Sequence, residues 1–310
     1  LLKSAAASFA ADDVPSGSIA IFAGALDGLE RVLQAHLRPG DRVAIEDPAY
    51  PPIRDILIAL ALTPVPVAVD DRGMLPHALE MALRHGLQAV VTIPRAQNPF
   101  GSALDAERAA TLRSILERHP ELLLIDDDHA WAVSGAPFVS LSGPPRAHWA
   151  VIRSTSKTLH PDLRLAFVAA DEATIARVEG RQALGPRWVS HIVQATAAEL
   201  LGDPSFSETC ERASAIYSAR RRELIDALAE HGLTAHGRSG LNVWVPVQAE
   251  APIVRALAEA GFAILPGENF RLQTPPAVRV TISTLRDGEA EQIARIIGAV
   301  ERTGRPRLLY

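Results

Sequence analysis

The stretch Trp149-Ala150-Val151-Ile152-Arg153-Ser154-Thr155-Ser156-Lys157-Thr158-Leu159-His160-Pro161-Asp162-Leu163-Arg164 organises the reading of this chain. An apolar β-type run, Trp149 to Ile152, is followed at once by a polar loop that carries a lysine. Small hydroxyls, Ser154 and Ser156, precede Lys157, and Arg164 follows seven residues later. A lysine amine can form a Schiff base with an aldehyde, and pyridoxal 5'-phosphate is the commonest aldehyde cofactor held that way. Its phosphate needs hydroxyl donors and positive charge, which Ser154, Ser156 and Arg164 offer. Alone, an SxSK is more often a solvated lysine in a polar loop, so the surrounding pattern has to decide.

Outward from that stretch, short β-type runs alternate with longer helical patterns. The runs are Ile19–Phe22, Arg42–Glu46, Val65–Val69, Ala89–Ile93, Leu122–Asp126, Ala150–Arg153 and Leu165–Ala169. Helical patterns fall at Leu26–His36, Pro52–Leu62, Pro76–His85 and Asp105–Arg118. Strand, helix, strand repetition predicts an α/β fold: a mostly parallel sheet with helices on both faces. The strands are apolar on successive residues, as two covered faces require. From Val189 to His231 the pattern is helical, punctuated by Pro204; after Gly240 a strand (Leu241–Val247), helix (Pro252–Ala260), strand (Val278–Ser283) and helix (Glu289–Arg302) predict a small α+β unit. The expected division is a large domain over residues 1–185, connecting helices over 186–235 and a small C-terminal domain over 236–310.

Composition narrows the class. The 310 residues can bury a large core, and 22% charge is ordinary for a soluble domain. A net charge of −5 leaves no electrostatic footprint for nucleic acid in these residues. The run Arg220-Arg221-Arg222 sits in a helical pattern and reads as a solvated face. The single cysteine, Cys210, excludes an internal disulfide and a cysteine-based zinc site. The longest apolar run, Ile56 to Leu62, is too short to span a bilayer, and LLKSAAASFAADD reads as an amphipathic helix, not a signal peptide. A cytoplasmic protein is expected. The chain starts without a methionine and inside a helical pattern, so a preceding segment is expected in the natural protein.

Ligands of parallel sheets sit at the carboxyl ends of strands, and the chemically interesting residues follow strands here. Asn98, in RAQNPFG, is a turn residue or an amide donor to the ring oxygen of a pyridine cofactor. Asp126-Asp127-Asp128-His129 follows an apolar run; its readings are a carboxylate on a pyridine nitrogen, a divalent metal site, or a solvated acidic turn. No second acidic cluster completes a metal site. Gly24-Ala25-Leu26 opens a helix whose backbone N–H groups suit a phosphate, or is a plain tight turn. No GxGxxG follows a strand, and no GxxxxGK[ST] exists. Tyr50 can stack on a flat ring or merely pack. Arg279, between Val278 and Val280, is an exposed strand residue or a fork for a carboxylate.

The order Gly24, Tyr50, Asn98, Asp127, Lys157, Arg164, Arg279 resembles the fold-type-I PLP enzymes, the aminotransferase class I/II superfamily, over essentially the whole chain. The phrases RPGDRVAIEDPAYP, RAQNPFG, LLIDDDHA, VIRSTSKTLHPDLRLAFVAAD and HGRSGLNVWVPV are similar to MocR-type (GntR family) regulators, in the branch linked to vitamin B6 genes. Such regulators join an N-terminal winged-helix DNA-binding domain to an aminotransferase-like domain, and this chain looks like the second part. The resemblance implies Lys157 as the Schiff-base lysine and proton carrier, and Asp127, with Asp126 as the alternative, on the pyridine nitrogen. It implies Asn98 and His129 near the ring oxygen and Tyr50 stacked on the ring. Ser154, Ser156, Arg164 and the Gly24-Ala25-Leu26 backbone would hold the phosphate, and Arg279 a ligand carboxylate. A homodimer is implied too, with an amino acid or B6 vitamer as ligand and DNA contacted only through the absent winged helix.

Four departures from the family pattern bear on turnover: His129 stands where relatives often have tyrosine, Leu26 where many have a polar residue, Phe100 where a small hydroxyl is usual, and the N-terminal segment that in many relatives lends a residue to the partner subunit's site is not among these residues. Two functions therefore compete, a PLP-binding sensor domain of a regulator and a free-standing aminotransferase acting on an α-amino acid. A PLP-independent carbohydrate or nucleotide binder is the third class, and the ordered motifs speak against it.

Overall fold

The computed structural model describes residues 1–143 and 145–304. Helix α1 (Leu2–Ala10) precedes β1 (Ile19–Phe22), α2 (Ala25–His36), β2 (Arg42–Asp47), α3 (Pro51–Ala59), β3 (Thr63–Asp70) and the short β4 (Gly73–Met74). There follow α4 (Pro76–Leu83), β5 (Ala89–Thr92), α5 (Ala106–Leu116), β6 (Leu123–Asp128), β7 (Trp149–Ser154) and β8 (Ala166–Ala170). Helices α6 (Glu172–Ala183), α7 (His191–Gly202) and α8 (Phe206–Glu230) lead to β9 (Asn242–Pro246), α9 (Glu250–Glu259), β10 (Leu265–Pro266), β11 (Ala277–Thr281) and α10 (Glu289–Gly304). The last residues of the expected small domain, 305–310, lie outside the described residues.

Eight strands form one sheet in the order β1-β8-β7-β6-β5-β2-β3-β4. Strands β7, β6, β5, β2 and β3 run parallel, as the strand-helix alternation predicts. Strand β8 turns back antiparallel to β7, and β1 pairs antiparallel with β8. Residues 154–165 are therefore a hairpin-like return, closed where Thr155 donates both its N–H (3.0 Å) and its hydroxyl (2.9 Å) to the Leu165 carbonyl. That return brings Arg164 back to the end of β7 from which Lys157 departs. Pro64 and Pro66 are tolerated in β3 because its outer side carries only two-residue β4.

Element boundaries follow local chemistry. Helices α3 and α4 open on Pro51-Pro52 and Pro76, where a missing N–H is harmless. Asp105 and Asp171 cap α5 and α6 by accepting from Arg108 N and Thr174 N, each at 2.9 Å. Helix α6 has no counterpart in the sequence reading, although Asp171 as cap and the buried Ile175, Val178 and Gln182 are its signature. One core layer packs α2 and α3 on the sheet (Leu29, Val32, Ile53, Leu57 against Val43, Ile125, Ile152), and the opposite layer packs α4 and α5. A separate core joins the end of α8 to β9, β11, α9 and α10. Here the arginine run is corrected. Arg222 is exposed, but Arg221 is buried and donates to the Gly240 carbonyl at 2.8 Å, and Arg220 reaches the Ser283 carbonyl. Those loop carbonyls have no ladder partner, and the guanidiniums supply the donors.

Candidate active site

A cavity of about 470 Å3 opens at the carboxyl ends of the parallel strands. Ala25, Leu26, Tyr50, Asn98, Asp127, His129, Ser154, Ser156, Lys157, Arg164 and Arg279 all line it. Of the residues expected from the sequence, two do not line it: Asp126, the alternative to Asp127, and Gly24. Gly24 is the cap of α2, with φ 106° and ψ 166°, and a Cβ there would stand 2.7 Å from Arg164 Nη2. The guanidinium thus rests on the glycine, beside the free N–H groups that begin α2.

Strand alternation separates the three aspartates. Asp127 faces the cavity, buried, and its Oδ1 has no hydrogen-bond partner. Burial first, then the charge of Asp128, push its carboxyl up to about 7. Asp126 points the other way and accepts from Ser140 Oγ and from the N–H groups of Leu141 and Ser142 (3.1 Å each). It ties down a loop and does not line the cavity. Asp128, on the same side as Asp126, is fully buried between Arg95 and Arg153.

Arg279 donates from Nη1 to Asn98 Oδ1 at 3.0 Å, and its Cζ lies 4.9 Å from the Phe270 ring centre. A guanidinium can only donate, so the Asn98 oxygen faces Arg279 and the amide N–H groups are left for the cavity. The Arg279 Nε is buried without a partner, and burial lowers the arginine's pKa. His129 keeps an open edge toward the cavity yet is enclosed enough that burial, opposed by the Asp128 charge and reinforced by that of Lys157, lowers it to about 4. It is a neutral imidazole at physiological pH. Burial, then Asp127, raise the Tyr50 phenol. Lys157 and Arg164 are exposed at the mouth.

Phe100 does not line the cavity. It stacks on His236 (4.4 Å between centres) and packs with Trp244 and Phe270. Leu26 does line it, its side chain against the sheet core. Five lining residues were absent from the sequence reading: Pro161, Leu241, Asn242, Thr281 and Ser283. The period of two that places Arg279 on one face of β11 also carries Thr281 and Ser283, the signal that could have found them. Among the described residues, no cluster of three metal-ligating side chains exists and no helix is long and apolar enough to cross a membrane.

Residues 1–297 match the family described as aminotransferase class I and II. The chain belongs to that family. Among curated proteins it is 41% identical, over 90% of its length, to the vitamin B6 salvage pathway transcriptional repressor PtsJ of Salmonella typhimurium. It is 32% identical, over 83%, to the HTH-type transcriptional regulator TauR of Rhodobacter capsulatus. It spans 65% of the first relative's length and 54% of the second's. Among solved structures, the kynurenine aminotransferase of Pyrococcus horikoshii superposes with a TM-score of 0.87 at 19% identity, over 98% of this chain and 80% of that one. LysN, an α-aminoadipate aminotransferase of Thermus thermophilus, gives 0.85 at 22% identity, over 98% and 82%. These two fix the fold as that of the aminotransferases.

Proposed function

We propose that this chain is the pyridoxal-phosphate-binding effector domain of a MocR-type transcriptional regulator concerned with vitamin B6. Supporting the cofactor is one observation above others: a buried carboxylate at a strand end, Asp127, with an oxygen that no protein group satisfies. Asp126 Oδ1 is unpartnered as well, but only Asp127 lines the cavity, where a pyridine N–H is a matching donor. The Gly24 notch filled by Arg164 beside the start of α2 suits a phosphate equally. The residues therefore fit the group. Supporting the regulator is the 41% identity to the PtsJ repressor over 90% of this chain.

Pyridoxal phosphate, when bound, supplies an aldehyde for a lysine and a ring that withdraws electrons. Everything else is done by this chain. Lys157 Nζ would be the covalent anchor for the aldehyde and is the amine placed to take or return a proton at the mouth of the cavity. The Asp127 carboxyl, which lines the cavity, would accept from the ring N–H and favour its protonated state. The Asn98 amide, aimed by Arg279, and His129 would donate to the ring oxygen, and Tyr50 would stack on the ring. Ser154, Ser156, Arg164 and the N–H groups of Ala25 and Leu26 hold the phosphate. Arg279, with its unpartnered Nε, offers a fork to the carboxylate of an amino acid.

The ligand is an amino acid or a B6 vitamer, the assembly is a cytoplasmic homodimer, and DNA is read by a winged-helix segment joined to residues 1–185, the large domain. Residues 186–235 connect it to the small domain, 236–310, which closes the cavity with Arg279. A ligand switches such a protein only by binding two arrangements with different affinity. The decisive experiment is the visible spectrum of the protein with pyridoxal phosphate, before and after a panel of amino acids. The reading expects a lysine-bound band, absent in Lys157→Ala, that persists or shifts. A band that bleaches and regenerates with an amino acid and a keto acid makes the chain an aminotransferase, and no band in the wild type removes the cofactor assignment.

A further inference from the structure

Behind the cavity lies a second constellation that the cofactor does not use. Strand alternation turns Asp127 and Ser154 toward the cavity and their neighbours Asp128 and Arg153 away from it. Asp128 accepts two parallel bonds from Arg95, Nε to Oδ1 and Nη2 to Oδ2, both at 2.8 Å, and a third from Arg153 Nε at 3.0 Å. The other ends of both guanidiniums reach the N-terminal segment. Arg95 Nη2 donates to Asp12 Oδ2 at 3.0 Å, Arg153 Nη2 donates to the same oxygen, and Arg153 Nη1 donates to the Ser8 carbonyl. Phe9, buried in α1, lies 4.8 Å from the Arg153 guanidinium, and Phe138 lies between the two arginines at 5.2 and 5.0 Å.

The charges balance: two guanidiniums, two carboxylates. Asp128 and Arg153 are fully buried and Arg95 nearly so, while the Asp12 side chain is 26% exposed and comes from outside the sheet. Each sheet-side member sits within three residues of a cavity residue: Arg95 before Asn98, Asp128 after Asp127, Arg153 before Ser154. Loss of Asp12 leaves a buried positive charge uncompensated, which the strands must relieve by moving or admitting water.

We propose that Asp12 is a positioning residue for the cofactor site, and that docking of the N-terminal segment, α1 on Arg153 and Asp12 on Arg95 and Arg153, is thermodynamically coupled to occupancy of the cavity. The inference rests on the cofactor reading above and adds the segment through which occupancy is read out. Coupling is reciprocal: if docked α1 strengthens cofactor binding by some factor, bound cofactor strengthens docking by the same factor.

Two measurements test it on this chain. The first is pyridoxal phosphate affinity, by absorbance titration, in wild type, Asp12→Asn and Asp12→Glu. Asp12→Asn is expected to weaken binding by at least about fivefold, with Asp12→Glu recovering part of the loss. The second is hydrogen exchange of residues 2–10 in the wild type, which slows on addition of pyridoxal phosphate by more than exchange of α9 does, because any ligand slows global opening equally in both. A purely structural Asp12 lowers the unfolding temperature but moves neither readout. Unchanged affinity in Asp12→Asn, or α1 exchange slowed no more than that of α9, overturns the inference; should Asp12→Asn not fold, the wild-type exchange decides alone. Failure of the wild type to bind pyridoxal phosphate defeats the cofactor reading instead, so the two failures are distinct.

Discussion

Replacing Gly24 by alanine separates the phosphate cradle from the rest of the site. The new Cβ would lie 2.7 Å from Arg164 Nη2, closer than two such atoms can stand. Arg164 is exposed, so its guanidinium is free to swing outward, and a charge-assisted contact to a phosphate is lost. Such a contact contributes about 1.5–3 kcal/mol, which corresponds to roughly 10- to 150-fold weaker binding of pyridoxal phosphate. A second effect is independent of the ligand. At φ 106° and ψ 166° the backbone is in a region essentially reserved for glycine. Alanine there destabilises the fold by about 1–3 kcal/mol. The assay is a paired titration with pyridoxal phosphate and with pyridoxal, which lacks the phosphate, alongside thermal unfolding of the free protein. The expected outcome is a lower unfolding temperature, a large loss for pyridoxal phosphate and a small one for pyridoxal. Equal losses for the two compounds, or an unchanged phosphate affinity in a protein that has lost stability, refute the assignment of Arg164 and Gly24 to the phosphate.

Asp127→Asn reports on the buried acid. Its folded pKa of about 7 lies above the ordinary aspartate value of 3.8. The native state therefore holds a proton that the unfolded chain releases, and stability is lost as pH rises from about 4 through 7. In the ligand-free protein, Asp127→Asn should be more stable than wild type above pH 7, by on the order of 4 kcal/mol, and lose the advantage near pH 4; denaturant unfolding across that range checks the sign, and a parallel pair of curves contradicts it. Asp47→Ala removes the acceptor for the N–H groups of Leu272 (2.8 Å), Gln273 (2.8 Å) and Thr274 (2.9 Å), the loop that follows Phe270. A loss of about 2–4 kcal/mol in urea unfolding is expected, with faster hydrogen exchange confined to residues 270–274; unchanged exchange there shows that other contacts hold the loop.

Local chemistry determined much of this protein. Periodicity located most of the strands, because a strand buried on both faces has to be apolar throughout. Prolines and glycines fixed several helix starts, because few other residues suit those backbone positions. The residues of the cavity were legible only as an ordered set: each alone also suits a turn or a solvated loop, and it was their order along the chain that carried the resemblance. What the sequence left open were questions of direction. Three consecutive aspartates are equivalent as letters, and only the pleat of β6 sends Asp127 into the cavity while Asp126 and Asp128 turn to Ser140 and to Arg95 and Arg153. A run of three arginines has a solvated pattern until α8 packs and Arg221 meets the Gly240 carbonyl. Thr281, Ser283 and Asn242 join the cavity because the three-stranded sheet is laid against the eight-stranded one. The pairing of Asp12 with Arg153, 141 residues apart, exists only in the folded chain. Which side of a strand faces a ligand, and which charges meet, depends on contacts between distant segments, and no local propensity encodes them.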